Sequence, residues 1–494
     1  MKKILLTGTC VLLLVCCVAA FAACGSAQKE IINAYDVAVE NGFEGTETEW
    51  LDSLKGKDGQ DGQNGTNGQN GLNGKDGKDN TLGVADYYQA AVDAGYEGTM
   101  LDFLKEYLSV EIAPDNSATI AKNLLSSVSV VARFSLRGTD FWGRQINTTG
   151  ASAGSGVFYR IDRENGDALV ITNYHVVYNQ ASTTENHVSD DVSVYLYGAM
   201  TNDQAIPATF LGGSMSYDIA VLKIENSDAL KTASATEVTF ADSNDVTVGQ
   251  EAIAIGNANG DGISATSGVV SVDSETIQLY LSDDTTIGSF RVLRVDTAIN
   301  HGNSGGGLFD AEGKLIGIVN AKDVEDDVEN MGYALPSNVV EYVTENILYY
   351  AERGQSEGVK KCMLGVTVYE NNAKGVYYAD RGKTKIESDV TVLEQPATES
   401  SEEVKIEESA LVYGKLQGGD VLKKFLIDKA DDDEEGYTES YDITRSYIVV
   451  DLMLTMRVGD KVKIVFEREN AETKQKETKE IELVMTEECI TTLK

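Results

Sequence analysis

Proline is scarce in this chain, four in 494 residues, and histidine scarcer, with three. The histidines are scattered, and no cysteine pair has ligand spacing, so the sequence offers no dedicated metal site and no cofactor motif. Cations are in deficit too: 41 basic against 79 acidic side chains leave a formal charge of -38. That field repels phosphate backbones and sets nucleic acid aside as a partner. Of six cysteines, Cys10, Cys16, Cys17 and Cys24 lie in the first 24 residues, and only Cys362 and Cys489 follow. Those two read as lone buried thiols, with one disulfide as the alternative in an oxidising compartment.

What is present begins with an export pattern. "MKKILLTGTCVLLLVCCVAAFAAC" places two lysines, an apolar run and small residues ahead of Cys24, as a secretory signal does. "FAAC" resembles the lipobox of bacterial lipoproteins, with Phe21 where leucine is usual. The resemblance implies a signal peptide over 1–23, a lipid-modified Cys24 and a chain held on the outer side of a membrane bilayer.

Residues 24–114 read as a stalk. "VENGFEGTETEWL" (39–51) and "VDAGYEGTMLDFL" (92–104) superpose at an offset of 53 positions, so two copies of one small helical module, about 32–55 and 85–108, flank collagen-like Gly-X-Y triplets at 56–79. Extended at about 3.1 Å per residue, the triplets would reach about 75 Å. Without proline they lack the preset backbone angles of a stable triple helix, so a semi-ordered spacer is expected.

From residue 115 the texture changes to short β-branched and aromatic runs, such as "ALVITNYHVV", "DIAVLKI", "EAIAIG" and "KLIGIVNA", separated by Gly, Asn and Asp. This predicts a mainly β fold. One helix is expected over 337–353, with Ser337 or Asn338 capping and Val339, Val340, Val343 and Ile347 on its apolar face.

Three segments of this region carry chemistry. His175 ends a β-rich run, Asp218 begins another, and Ser304 sits in "HGNSGGGLF". A serine hydroxyl needs a neutral imidazole to take its proton, and the imidazole needs a carboxylate to hold its tautomer. Main-chain N–H groups of the turn Gly302, Asn303, Ser304, those of Gly302 and Ser304 foremost, are the candidate oxyanion donors.

With "GSGVFY", "TNYHVV", "YDIAVLKI", "GQEAIAIGN", "TSGVVS", "DTAINHGNSGGGLFDAEGKLIGI" and "GYALPSN" in order, the stretch 115–353 resembles the protease domain of the HtrA (DegP-like) family of trypsin-like serine endopeptidases. The resemblance implies a chymotrypsin-like double β-barrel in which His175 is the general base, Asp218 its orienting acid and Ser304 the nucleophile. It also implies Ala298 at the base of the substrate pocket with Ile318 and Val319 along its wall, unfolded polypeptides as substrates, and a homotrimer. Residues 358–494 resemble a PDZ domain through "CMLGVTV", "LQGGDVLKKF" and "MRVGDKVKIVFERE". That implies peptide C-termini bound at the N–H groups of Leu364, Gly365 and Val366 with Lys361 nearby, and leaves "NNAKGVYYADRGKTKIESD" and "DKADDDEEGYTES" as loops. A catalytically weak holdase or scaffold and a collagen-like adhesin are the alternative readings.

Overall fold

In the computed structural model the chain divides into two compact units, Met1–Pro114 and Asp115–Lys494. The structure describes 116–493 apart from 140, 143, 200, 321–330, 356–357, 398–402 and 432–435, with scattered positions between 88 and 103. The export segment, Cys24, the first stalk module and the glycine triplets lie outside the described residues. In the second module Tyr88 and Tyr96 pack edge-on against Phe103, with ring centroids 5.6 and 5.8 Å away, and Tyr88 donates to the Gly98 carbonyl at 3.2 Å.

The larger unit is mainly β, as its run pattern predicts. After a short helix α1 (Ser117–Leu124) come β1 (Ser127–Thr139), β2 (Gln145–Asp162), β3 (Asp167–Thr172), the helical turn α2 (Tyr174–Val177), β4 (Asp191–Leu196), β5 (Ile206–Ser214) and β6 (Ile219–Ile224). These six strands close a barrel in the order β1-β2-β3-β6-β5-β4. A second closed barrel, β10-β11-β12-β9-β8-β7, is built from β7 (Glu251–Gly256), β8 (Ser264–Tyr280), β9 (Ile287–Val295), β10 (Gly307–Phe309), β11 (Leu315–Val319) and β12 (Gly332–Pro336).

Strand alternation explains how the barrels meet. In β6 the side chains of Ala220, Leu222 and Ile224 fill the first barrel, whereas Ile219 and Val221 join the apolar layer between the barrels. In β7, Ala252 and Ala254 face the second barrel's interior, and Ile253 and Ile255 face that same layer. Strands buried on both faces are continuously apolar in sequence, as "DIAVLKI" and "EAIAIG" are.

Helix α3 (Ser337–Ala351) closes the double barrel, and Val339, Val340, Val343 and Ile347 are buried as expected. The expected cap is corrected. Helix entry falls at Pro336, and neither Ser337 nor Asn338 caps. Their side chains are drawn to the neighbouring 241–243 segment instead: Ser337 Oγ donates to the Ala241 carbonyl at 2.7 Å, and Asn338 Oδ1 accepts from Ser243 N at 2.8 Å.

The C-terminal body contains β13 (Val359–Cys362), β14 (Val368–Tyr378), β15 (Lys383–Val392), β16 (Val421–Asp428), β17 (Glu439–Asp442), helix α4 (Ser446–Leu452), β18 (Lys461–Glu469), β19 (Lys476–Val484) and β20 (Ile490–Leu493). Strands β14-β15-β16-β18-β19 run in that order with β17 beside β16, and β13 pairs with β20. The segment expected as a loop over "NNAKGVYYADRGKTKIESD" is a long antiparallel hairpin, β14 with β15. Val376, Tyr377, Thr384 and Ile386 give it β-forming side chains, and its end reaches the protease-like region, where Lys383 Nζ meets the Asp245 carbonyl at 3.2 Å.

The two bodies share a polar joint. Asn346 of α3 is fully buried; its Nδ2 donates to the carbonyls of Lys360 and Leu454 at 2.7 and 2.8 Å, and its Oδ1 accepts from Lys360 N at 3.0 Å. Arg291 of β9 pairs with the buried Asp451 of α4 and stacks over Tyr447 at 3.6 Å. Replacing Asn346 by Ala leaves the buried Leu454 carbonyl and the part-buried Lys360 N–H and carbonyl without this partner; a buried unpaired group costs about 1–3 kcal/mol and a part-buried one less. Asn346→Ala therefore lowers unfolding free energy by about 2–5 kcal/mol in denaturant titrations, and an unchanged midpoint would show that the joint is not held there.

Candidate active site

His175 lies in α2, immediately after β3, and Asp218 immediately before β6, the strand that pairs with β3. This pairing brings the two together. Asp218 clasps His175 twice: its Oδ2 lies 2.7 Å from the ring Nδ1 and its Oδ1 accepts the His175 main-chain N–H at 2.9 Å. With a carboxylate on Nδ1, that nitrogen carries the proton and Nε2 is left with its lone pair. The Asp218 side chain is 2% exposed and that of His175 22%, so the carboxylate is sealed while the ring reaches the surface.

Asp218 adopts φ +51°, a conformation that Asp tolerates better than most residues. Its carbonyl accepts from Asn173 Nδ2 at 2.8 Å and from Tyr174 N at 3.1 Å, which fixes the turn from both sides. Tyr174 is half-buried beside it, and desolvation pushes its hydroxyl up to about 12. A cleft of about 340 Å³ next to His175 is lined by Tyr178, Asn179, Gln180, Ala181, Ser282 and Asp284.

Ser304 occupies a tight turn leading into β10. Asn303 N donates to the Asn300 carbonyl at 3.0 Å and Gly306 N to the Asn303 carbonyl at 2.8 Å. The Asn303 N–H is therefore already used and is corrected as an oxyanion donor. Among the described residues the Gly302 and Ser304 N–H groups have no protein acceptor, as a pair of donors awaiting a ligand requires. Gly302 and Gly305 have φ of +92° and +84°. A Cβ at Gly305 would lie 2.2 Å from the Ser155 carbonyl and 2.5 Å from Thr172 Oγ1, so glycine is required there by both angle and space.

Those contacts bring the Ser304 turn against the end of β3, three positions before His175. Ser304 is buried as a residue, 6% exposed, and among the described residues its hydroxyl makes no hydrogen bond to His175. Such bonds are often long in unliganded sites and tighten with substrate.

Ser155 is the residue that motif reading missed. It stands inside "GSGVFY", fully buried. Its Oγ donates to the Gly302 carbonyl at 2.7 Å and accepts from Asn257 N at 2.7 Å, and its N–H donates to the Ser304 carbonyl at 2.8 Å. Thr172 Oγ1 then donates to the Ser155 carbonyl at 2.6 Å. A serine between two glycines carries no local signal for partners 102 and 147 positions away.

The other candidates divide. Ala298 is exposed and uncharged, but Ile318 and Val319 are both 0% exposed with side chains in the apolar clusters of the second barrel. Strand β11 is covered on both faces, so they are core residues and not an open pocket wall. In the C-terminal body Leu364 is buried, and Gly365 has φ +72°. Among the described residues the N–H groups of Leu364, Gly365 and Val366 have no protein acceptor. Ala410 covers Gly365 closely: a Cβ there would lie 2.4 Å from Ala410 Cβ. Glu370 further ties the start of β14 to α4, accepting from Ser446 N at 2.8 Å and Ser446 Oγ at 2.7 Å. Lys361 is not beside this loop. It is drawn into the joint, where its Nζ donates to Tyr217 OH at 3.1 Å and burial lowers its pKa.

Ser155→Ala removes one hydroxyl and leaves Asn257 N–H and the Gly302 carbonyl unpaired. A loss of about 1–3 kcal/mol in unfolding free energy follows, measurable by denaturant titration, and an unaltered stability would remove Ser155 from its bracing role.

Comparison with known proteins agrees with this geometry. Residues 154–318 match the trypsin-like peptidase domain model. The chain is 36% identical over 224 residues to the serine protease Do-like HtrA of Bacillus subtilis (strain 168), covering 45% of this chain and 44% of that protein. It is 33% identical over 300 residues to the serine protease Do-like HtrB of the same organism, covering 56% and 58%. With the Lactococcus lactis subsp. cremoris (strain MG1363) serine protease Do-like HtrA it shares 39% identity over 197 residues, covering 38% and 43%. The chain thus spans about half the length of the curated relatives it matches. A solved HtrA-type protease, AlgW with decapeptide, aligns with 75% of this chain and 98% of its own at 22% identity and a TM-score of 0.44. On the sequence matches and the double barrel together, residues 154–318 form a trypsin-like peptidase domain similar to those of HtrA serine proteases.

Proposed function

We propose that this chain is an extracytoplasmic serine endopeptidase that cleaves unfolded or damaged exported polypeptides. The observation that carries the reading is the two-point clasp of Asp218 on His175, 2.7 and 2.9 Å, beside a serine turn with two unclaimed N–H groups. Ser304 Oγ attacks the scissile carbonyl while His175 Nε2 takes its proton. The N–H groups of Gly302 and Ser304 receive the developing oxyanion, each donor worth about 3 kcal/mol in the transition state. His175 then protonates the leaving amine. Water, deprotonated by the same ring, releases the acyl group from Ser304.

Within this reading Ala298 leaves the pocket base without a counter-ion, so the residue before the cut is small and aliphatic. Cys24 bears the lipid and the glycine triplets hold the enzyme away from the bilayer. The Leu364–Val366 N–H groups receive a peptide carboxylate in the manner of a PDZ loop, once Ala410 and the Glu370–Ser446 contact give way. The working unit is a trimer.

A fluorophosphonate probe labels Ser304 in the wild type and not in Ser304→Ala. Ser304→Ala and His175→Ala each lower casein turnover by several orders of magnitude with the folded signal retained, and casein cleavage at the wild-type rate by either variant would sink the assignment. A peptide library returns valine or alanine before the cut; dominance of Lys or Arg there overturns the pocket reading. In sedimentation, 115–494 runs as a trimer, and a fully active monomer would leave the glycine repeat as a plain spacer.

A further inference from the structure

We propose that Cys362 and Cys489 are a disulfide-forming pair that closes the C-terminal body into one covalent loop. The two Sγ atoms lie 2.8 Å apart across 127 positions of sequence, against ~2.05 Å for a formed bridge. Both residues are buried, at 0% and 7% exposure. Their backbones are already paired: Cys362 stands opposite Ile490 in the β13–β20 ladder, and Met363 N donates to the Cys489 carbonyl at 2.7 Å. Cys489 is the residue just before Ile490, one position off the residue opposite Cys362, and the pairing holds the two cysteines as neighbours with their sulfurs already in contact.

A metal is the other occupant that two facing thiols suggest, since Met485 Sδ is 3.2 Å from Cys362 Sγ. Sulfurs on a tetrahedral zinc, each at ~2.3 Å, are held about 3.8 Å apart. The three sulfurs here are too close to leave room for an ion. Among the described residues there is also no group of three or more His, Cys, Asp or Glu side chains that could hold one.

The oxidant is a small-molecule disulfide of the oxidised glutathione type. One cysteine thiolate attacks it, forming a mixed disulfide and releasing one thiolate; the second cysteine thiolate attacks the protein sulfur, closes the S–S bond and releases the other. Two protons leave the cysteines, and the two electrons reduce the reagent to two thiols. Burial raises the Cys362 thiol, so little thiolate forms in the closed fold. Bridge formation therefore accompanies folding, before β20 seals the pair, and the finished bond is shielded from reductant. It is a structural staple, fastening the chain's last strand to the first strand after α3, where Lys360 meets Asn346.

That the bridge forms in cells rests on the extracytoplasmic reading; that the pair is able to form it does not. Full-length chain is unfolded, refolded in a mixture of oxidised and reduced glutathione, alkylated and digested without reductant. The expected product is a peptide linking Cys362 to Cys489, absent from a Cys362→Ala/Cys489→Ala variant. Recovery of both cysteines as alkylated free thiols overturns the proposal. In a second arm, reductant during denaturation lowers the midpoint of the wild type and leaves the double variant unmoved; equal insensitivity of both overturns the staple. The first arm reads the wild type alone, so poor folding of the variant does not blunt it. A bridge formed on refolding but reduced in acid-quenched cells counts against the extracytoplasmic location and leaves the pair assignment standing.

Discussion

Backbone lies on backbone where the two barrels meet, and the site depends on that closeness. A Cβ at Gly154 would sit 3.0 Å from the Ser304 carbonyl, at Gly256 3.1 Å from Asn303 Cα, and at Gly305 2.2 Å from the Ser155 carbonyl. Only glycine lets the Ser304 turn sink between β2 and β7. Once there, its polar main chain is out of water and must be paired, and Ser155 supplies the pairing. The same hydroxyl serves Gly302 and Asn257, so the serine turn, the 257–263 loop and the first barrel are positioned by one side chain. The two N–H groups left over, Gly302 and Ser304, are the pair proposed above to receive an oxyanion.

What was legible in the sequence follows from range. His175, Asp218 and the Ser304 turn each sit at a strand boundary within a short motif, and pairing of β3 with β6 converts the order of the first two into contact. The alternate burial of β6 and β7 on two faces was likewise visible as continuous apolar runs. Ser155 was not, because its partners are main-chain atoms more than 100 positions away and main-chain atoms have no sequence signature. Ser337 and Asn338 were misread for the same reason: a good capping residue caps only when no stronger acceptor or donor is near, and here the 241–243 segment competes successfully. The 371–389 hairpin was hidden by its glycines and charges, which suit a loop. Its strands instead make the excursion that brings Lys383 and Lys385 to Asp245.

The joint shows where a chain poor in cations spends them. Arg291, Lys361, Lys383 and Lys385 all lie between the protease-like region and the C-terminal body, against a background of net negative charge. Burial raises the Asp451 carboxyl while Arg291 acts in the opposite direction, so the pair is held at a desolvation cost that its own attraction only partly offsets. Such a pair is weak evidence for added stability. Its effect is on geometry: a charge left without its partner in this interior is worth several kcal/mol, so alternative dockings of the C-terminal body that separate Asp451 from Arg291 are disfavoured.

The same ion pair sits on a contiguous run of packed elements between the Leu364–Val366 loop and the Ser304 turn. Helix α4 holds Asp451 toward Arg291 at one end of the joint, and its first residue, Ser446, is bound by Glu370 of β14, the strand that follows the Leu364–Val366 loop. Arg291 lies on β9, whose continuation through Val295 leads into the 296–303 segment and the Ser304 turn. Packed strands and one buried ion pair thus connect α4 with the segment ahead of the Ser304 turn.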